Sequence, residues 1–148
     1  MNAGWILPFI ILGGALQSCG AAMNGQLHKS LMNPWLASTV SFALITFFFM
    51  GAFLIMPHPL PTTKDLAMMP WWAAVGGLVG AVQVYAGLTL VNRVGAGPLM
   101  GFTVTAALIA SLAIDHFGWF RMDQHPITPL RALGGLLLVG GVTLIAKF

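Results

Sequence analysis

Among the side-chain amides within or directly beside the long apolar segments of this 148-residue sequence, three lie at helical spacing from glycines. Gln17 and Asn24 belong to the first segment, and Gln83 belongs to the third. A side-chain amide both donates and accepts hydrogen bonds, which suits the binding of a neutral or weakly polar molecule. The alternative is that the amides hydrogen-bond between tightly packed helices, which is their commoner use in membrane proteins. Either role requires the amides to face the protein interior, because a polar group in lipid is costly.

Glycines accompany these amides at intervals of three or four residues, which places them on one face of a helix. The residues that follow this spacing are Gly13, Gln17, Gly20 and Asn24 in the first segment and Gly76, Gly80, Gln83 and Gly87 in the third. Glycines allow two helix backbones to approach closely, so we expect all of these glycines to be helix-packing positions. Because two helices carry the same pattern, we expect the amides to line a substrate cavity between helices.

The fourth apolar segment adds hydroxyl groups and one acid. Thr103 and Thr105 could line the same cavity, with Thr105 the candidate we retain, although such threonines more often hydrogen-bond to their own helix backbone. No carboxylate lies in the middle of any segment. Asp115, at the end of the fourth, is the candidate group for coupling transport to protons. The favoured alternative is that Asp115 only fixes the loop that begins at His116.

Other kinds of chemistry lack the residues that they need. Acids and histidines gather in one short stretch, at Asp115, His116, Asp123 and His125. Their spacing matches no common set of metal ligands, so a solvated loop is favoured and no metal is expected. None of the candidate nucleophiles has a histidine at helical spacing, and no Walker loop is present. The sequence therefore indicates a protein that is not an enzyme, with no catalytic residues and no cofactor.

The elements that hold these residues are helices in a membrane. Hydrophobic residues make up 58% of the chain and charged residues only 6%, whereas a soluble domain carries roughly 25% charged residues. A bilayer core requires about 20 apolar residues per helix. The predicted spans are Trp5–Met23, Pro34–Met56, Trp71–Val91, Pro98–Ile114 and Leu130–Ala146. The proline-rich run from Pro57 to Pro61 breaks the chain after the second span. We expect an all-α, polytopic integral membrane protein, a single five-helix domain over residues 1–148 in contact with the lipid bilayer.

The basic residues divide evenly between the two sides of this arrangement. One side holds Lys64, Arg121 and Arg131, and the other holds Lys29, Arg93 and Lys147. The positive-inside rule has no bias to act on, which predicts insertion in both orientations and an antiparallel homodimer. The alternative is that one loop, at Lys29 or Arg93, fixes a single orientation. So few basic residues exclude a nucleic-acid-binding surface.

Four motifs in this sequence resemble a known family of membrane proteins. They are Gly14-Ala15-Leu16-Gln17 with Asn24-Gly25-Gln26-Leu27, Pro70-Trp71-Trp72-Ala73-Ala74-Val75-Gly76-Gly77-Leu78-Val79-Gly80-Ala81, Ser111-Leu112-Ala113-Ile114-Asp115-His116-Phe117-Gly118, and Pro129-Leu130-Arg131. Together they are similar to the short, five-span YdcZ-type branch of the drug/metabolite transporter superfamily. The resemblance covers essentially the whole chain and implies an exporter of the inner membrane. Ala106 and Ala107 stand where that family often has a Gly-Gln pair, which implies a less polar cavity.

The resemblance also implies how the chain would work. Larger superfamily members have ten spans in two inverted halves, so a five-span chain would supply half of a transporter, in agreement with its balanced charges. We therefore predict a small-molecule transporter that works by alternating access as an antiparallel homodimer. The alternative from another class is a non-transporting helical scaffold or lipid-binding subunit, which would need only the packing glycines. A water-accessible cavity at Gln17 and Gln83 would separate the two.

Overall fold

A computed structural model describes residues 3–56 and 58–148 of the chain, so that Pro57, in the predicted break, lies outside the described residues. Over these residues the secondary structure is helical, with no strand. The α-helices are α1 (Ile6–Leu31), α2 (Pro34–Ile55), α3 (Thr63–Met68), α4 (Gly76–Val94), α5 (Ala96–Phe117) and α6 (Pro129–Lys147). All of them except α3 are long and apolar enough to cross a membrane. The predicted all-α architecture with five spans is confirmed.

Most helix ends differ from the predicted span ends. Helix α1 continues to Leu31 rather than ending at Met23, and at 1.5 Å per residue it is about 39 Å long, more than the hydrocarbon core of about 30 Å. Helix α4 begins at Gly76 rather than Trp71, after a short 3-10 turn. Helix α5 runs on to Phe117 rather than ending at Ile114, so Asp115 and His116 both lie in its last turn.

Large apolar side chains cover the outside of the helices. Phe47, Phe48 and Phe49 expose 73%, 70% and 64% of their surface, and among the described residues Leu88 is the only large side chain that is fully buried. So much apolar surface would be strongly unfavourable in water. Lipid is the solvent in which this distribution is stable, because it leaves no apolar surface facing water.

The described chain separates into two compact units, one up to Arg93 and one from Val94. In the first unit α1 packs against α2, and α1 also contacts α4 at Gly25, where a Cβ atom would overlap the side chain of Val91. In the second unit α5 packs against α6, and a Cβ atom at Gly101 would likewise overlap a valine side chain. The single domain over residues 1–148 stays a prediction.

A two-residue connection holds α1 and α2 side by side. Met32 ends α1 in the left-handed conformation (φ 57°), and its N–H donates to the carbonyl of His28 at 2.8 Å. Asn33 then caps α2: its Oδ1 accepts from the N–H groups of Trp35 and Leu36 at 3.0 and 3.2 Å. Pro34 fits the first turn of α2, where its missing N–H has no helical partner to lose. This connection makes α1 and α2 antiparallel neighbours.

The short helix α3 is a capped turn between the second and third spans. The N–H and the hydroxyl of Thr62 donate to Asp65 Oδ2 at 2.8 and 2.7 Å, and the Asp65 N–H donates to the Thr62 hydroxyl at 3.4 Å. These hydrogen bonds, first that of the Thr62 hydroxyl and then that of its backbone N–H, lower the pKa of the Asp65 carboxyl below its ordinary value of 3.8. The spacing of a threonine and an acid three residues later is the sequence signature of such a capping box.

Replacing the cap of α2 should destabilise the protein. Asn33→Ala removes the acceptor for two N–H groups and should lower the free energy of unfolding by about 1 kcal/mol. Asn33→Asp keeps an acceptor oxygen in place and should unfold close to the wild-type protein. Thermal unfolding of the purified variants in detergent, followed by circular dichroism, measures both. Equal losses in the two variants would show that the cap does not stabilise the turn.

Candidate functional site

A groove lies between α2 and α4 and is formed entirely by residues of the first unit. Its volume is about 720 Å³. The residues that line it are Trp35, Ser38, Thr39, Phe42, Ala43 and Thr46 from α2 and Leu78, Ala81, Val82 and Tyr85 from α4. On each helix these residues recur every three or four positions, so each set forms one continuous face. Small-molecule sites commonly have this size and this mainly apolar lining.

Two aromatic rings form one wall of the groove. The ring centroids of Trp35 and Tyr85 are 4.9 Å apart, and their planes are inclined by 32°. The Tyr85 hydroxyl makes no hydrogen bond to any described residue of its unit. This wall therefore offers an aromatic surface together with a hydroxyl group that can still donate and accept.

The other hydroxyl groups of the groove are bound to their own helix. Ser38, Thr39 and Thr46 each donate to the carbonyl four residues earlier, and all three distances are 2.9 Å. A hydroxyl that donates its single hydrogen in this way keeps free lone pairs on the oxygen. No residue that lines the groove carries a formal charge. The groove is thus neutral and mostly apolar, with hydroxyl oxygens that can accept.

A second polar cluster joins α1 to both of its neighbours. The Ser41 hydroxyl on α2 donates to Asn24 Oδ1 at 3.1 Å, and Asn92 Nδ2 on α4 donates to the carbonyl of Gly25 at 2.8 Å. Gly25 and Ser41 are buried. Because α1 and α4 meet near their C-terminal ends, this contact is consistent with placing the nearby Lys29 and Arg93 on one side of the membrane.

The amides predicted to line a cavity have different surroundings. Asn24 is half-buried and accepts from Ser41. Gln17 and Gln83 are exposed and form no side-chain hydrogen bond with the described residues of their unit. Thr105 is buried on α5, in the second unit. None of the four lines the groove between α2 and α4, and their role in a substrate cavity stays a prediction.

The glycines predicted to pack helices are bare within their own unit. An added Cβ atom would meet nothing of that unit within 4 Å at Gly13, Gly20, Gly76, Gly80 or Gly87. The close contacts inside the units are made by other glycines, at Gly25 and Gly101. Helix spacing alone does not distinguish the two groups. A packing role for the first group would need a surface from outside the unit, and it stays a prediction.

Sequence reasoning missed the groove itself. Its α2 face belongs to the most apolar span. Serine and threonine in such a helix commonly bond to their own backbone, so the four in α2 did not by themselves indicate a site. The available signal was the regular recurrence of Trp35, Ser38, Phe42 and Thr46 along that helix. Tyr85 follows Gln83 by two residues, which places it away from the face of Gln83, and it contacts Trp35 on α2.

The loop that follows α5 turns back and forms hydrogen bonds with the last turn of that helix. The carbonyl of Asp115 accepts from the His125 N–H at 2.8 Å, and the carbonyl of His116 accepts from Gln124 Nε2 at 2.8 Å. His116 Nδ1 accepts from the Ile127 N–H at 3.1 Å. Gly118 ends the helix in the left-handed conformation (φ 63°), which glycine adopts without strain.

Asp115 contributes to this loop through its main chain. Its carboxylate forms no hydrogen bond or ion pair with the residues that the structure describes, Arg121 included. Across the described part of the chain, no three metal-ligating side chains come together. The coupling role of Asp115 stays a prediction, and so does the favoured structural role of its side chain.

These features define a polytopic α-helical membrane protein with a small-molecule-sized groove between two spans. The family described as "Putative inner membrane exporter, YdcZ" matches residues 5–144, and the chain belongs to this family. It is 35% identical over 82 residues to inner membrane protein YdcZ of Escherichia coli (strain K12), an alignment that covers 52% of this chain and 51% of that protein. The match thus spans about half the length of this relative. No solved structure matches the chain. The predicted family and the predicted multi-pass location in the inner membrane are confirmed.

Replacing His116 should weaken the hydrogen bond to the Ile127 N–H only where the new side chain has no acceptor at the position of Nδ1. In His116→Asn the side-chain oxygen replaces Nδ1 and can still accept from Ile127, whereas in His116→Gln it lies one bond farther out. The loss of one hydrogen bond, worth about 1 kcal/mol, should speed amide exchange at Ile127 roughly fivefold in the glutamine variant only. Hydrogen exchange followed by NMR measures this rate.

The control for this prediction is Asp115→Asn. That variant keeps the carbonyl that accepts from His125 and should leave exchange at Ile127 unchanged. Equal exchange rates in the asparagine and glutamine variants of His116 would contradict the proposed hydrogen bond.

Proposed function

We propose that this chain transports small, neutral or weakly polar molecules across the inner membrane, by alternating access and as an antiparallel homodimer. Membership in a family of inner-membrane exporters supports transport as the general activity and argues against an enzyme. The cargo, the mechanism and the dimer are our proposals. They are supported by polar side chains and glycines that have no partner among the described residues of the first unit.

The observation that carries this proposal is the exposure of Gln17 and Gln83. Both lie well inside helices long enough to cross a membrane, and neither has a hydrogen-bond partner among the described residues of its unit. An amide left without partners in hydrocarbon costs several kcal/mol. We therefore infer that a surface from outside the unit, or a cargo molecule, binds these amides in the working protein.

The bare glycines next to these amides favour a second copy as that surface. Gly13 and Gly20 flank Gln17, and Gly80 and Gly87 flank Gln83. Since no atom of the unit would oppose a Cβ atom at these positions, another helix can approach them closely. In transporters built from inverted repeats, the substrate site lies at the interface of the repeats near the midplane. Two antiparallel copies would place the amides there.

A different observation favours the rival function. The groove between α2 and α4 is mainly apolar and could hold part of a lipid molecule, as a lipid-binding subunit or scaffold would require. Such a protein would need no cargo cycle. Transport by the purified chain in lipid vesicles separates the two functions, because a scaffold would move no solute.

Replacing the amides should stop transport without preventing assembly. In Gln17→Leu and Gln83→Leu, a cavity would lose its hydrogen-bonding groups, so uptake into vesicles should fall at least tenfold while expression and dimer formation stay near wild type. Transport in vesicles and cross-linking in the membrane measure the two effects. Gln26→Leu is the matched control, since it changes an exposed glutamine of α1 outside the glycine–amide face. Variants that fail to form dimers would show that the amides only join helices.

Adding charge should change the orientation of the chain. Because its basic residues balance, we expect C-terminal reporter fusions to be active on both sides of the membrane. Two lysines added after Phe148 should shift the population toward a cytoplasmic C-terminus. Two glutamines added at the same place are the control and should leave the ratio unchanged. Fusions that are active on one side only would exclude insertion in both orientations.

A further inference from the structure

We propose that the groove between α2 and α4 binds neutral molecules that combine a planar ring with a hydrogen-bond donor. This inference rests on the proposed transport function for its biological meaning, since it names a class of cargo. The proposed binding itself involves only residues of the first unit. Its four supports are the size, the charge, the aromatic wall and the hydrogen-bonding groups of the groove.

The size of the groove suits a small organic molecule. Its volume of about 720 Å³ falls within the range of about 300–1,000 Å³ that is usual for ligand sites. The two helix faces that form it each extend over roughly two to three turns. A fused ring system with a short substituent fits such a space.

The lining selects against charged molecules. None of its residues is acidic, basic or histidine. A permanent cation or anion would lose its water and gain no counterion, which is strongly unfavourable in apolar surroundings. Contact of a cation with the two aromatic rings offsets only about 2 kcal/mol of this cost. A neutral molecule loses much less when it leaves water or the lipid interface.

The aromatic wall selects a planar ring. Trp35 and Tyr85 lie with their centroids 4.9 Å apart and present a common surface at one end of the groove. Aromatic groups prefer offset stacking or edge-to-face contact with such rings. Nearer the N-terminal end of α4, Leu78 and Val82 present aliphatic surface on the same face as Tyr85. A flat ring can stack on the aromatic pair and also contact these aliphatic side chains, whereas a flexible acyl chain gains no stacking from the pair.

The hydroxyl groups select a donor. The hydrogens of Ser38, Thr39 and Thr46 are used in bonds to their own backbone, so their oxygens can only accept from a ligand. The Tyr85 hydroxyl can act in either direction. A ligand with an O–H or N–H group therefore finds several acceptors, while one that only accepts finds fewer partners.

Equilibrium dialysis of the full chain in phosphatidylcholine nanodiscs tests this proposal, with empty nanodiscs as the reference for partitioning into lipid. The probes are naphthol, methoxynaphthalene, which lacks the donor, and naphthyl-trimethylammonium, which carries a permanent charge. We expect saturable binding of naphthol, roughly fivefold weaker binding of methoxynaphthalene through loss of one hydrogen bond, and no competition by the cation. Equal binding of all three probes, or binding no greater than in empty nanodiscs, would overturn the proposal.

Two variants locate the site. Trp35→Leu should weaken the binding of both neutral probes at least fivefold, and Thr39→Val should reduce the preference for naphthol over methoxynaphthalene. The matched controls are Trp71→Leu, at an exposed tryptophan outside the groove, and Thr143→Val, whose hydroxyl donates to its own helix on α6 in the same way. Both controls should bind like the wild-type chain. If Trp35→Leu does not fold, Tyr85→Phe replaces it and should also reduce the preference for naphthol.

Binding and transport fail in distinguishable ways. If naphthol binds in the groove but is not moved across vesicle membranes, the binding proposal stands and the proposed transport of this class of molecule is contradicted. If the groove variants bind naphthol as the wild-type chain does, the groove is not the site, whatever the transport assay shows. Displacement of naphthol by added phospholipid, in proportion to its amount, would identify the groove as a lipid site and overturn the proposal.

Discussion

Hydrocarbon supplies no hydrogen bonds, and this constraint explains which polar groups of the chain are paired and how. The hydroxyls of Ser38, Thr39 and Thr46 face a groove in a very apolar helix, and each is satisfied by its own backbone. Asn24 and Asn92, toward the C-terminal ends of α1 and α4, form hydrogen bonds between helices. The same hydrogen bonds hold α1 against α2 and α4. They therefore pair polar groups and pack the helices of the unit at once. Glycine at position 25 permits this packing, because any side chain there would overlap Val91.

Gln17 and Gln83 are unpaired within the described part of their unit, and the proposed function depends on them. They obey the same constraint only if something outside the unit binds them, and the glycines beside them leave room for it. Helix packing within the unit and the proposed contact with a second copy thus both use glycines at helical spacing. The contacts within a single copy distinguish the two kinds of glycine. A Cβ atom at Gly25 would overlap Val91, whereas one at Gly80 would meet no described atom of the unit within 4 Å.

Much of the fold could be predicted from the sequence, because a span in lipid must be long, apolar and helical. The helix ends were harder to predict, since polarity does not end a helix. Helix α1 continues past the polar residues Asn24 and Lys29, and it stops where Met32 turns and Asn33 starts the next helix. The groove could not be predicted, because it depends on which faces of α2 and α4 meet. Spacing places Tyr85 away from Gln83 but does not say that Trp35 lies opposite it.

Helix α4 connects the two proposed sites. Gln83 and Tyr85 are two positions apart, which corresponds to about 200° around a helix, so the amide and the aromatic ring lie on nearly opposite faces. One face is bare and suits a second copy, while the other forms the groove with α2. Asn92 holds the C-terminal part of this helix to the backbone of α1. A rocking movement of α4 about that contact would change its interface with a second copy and the width of the groove together. In the proposed dimer, a ligand in the groove would therefore favour one arrangement of the two copies over the other, which is the differential affinity that alternating access requires.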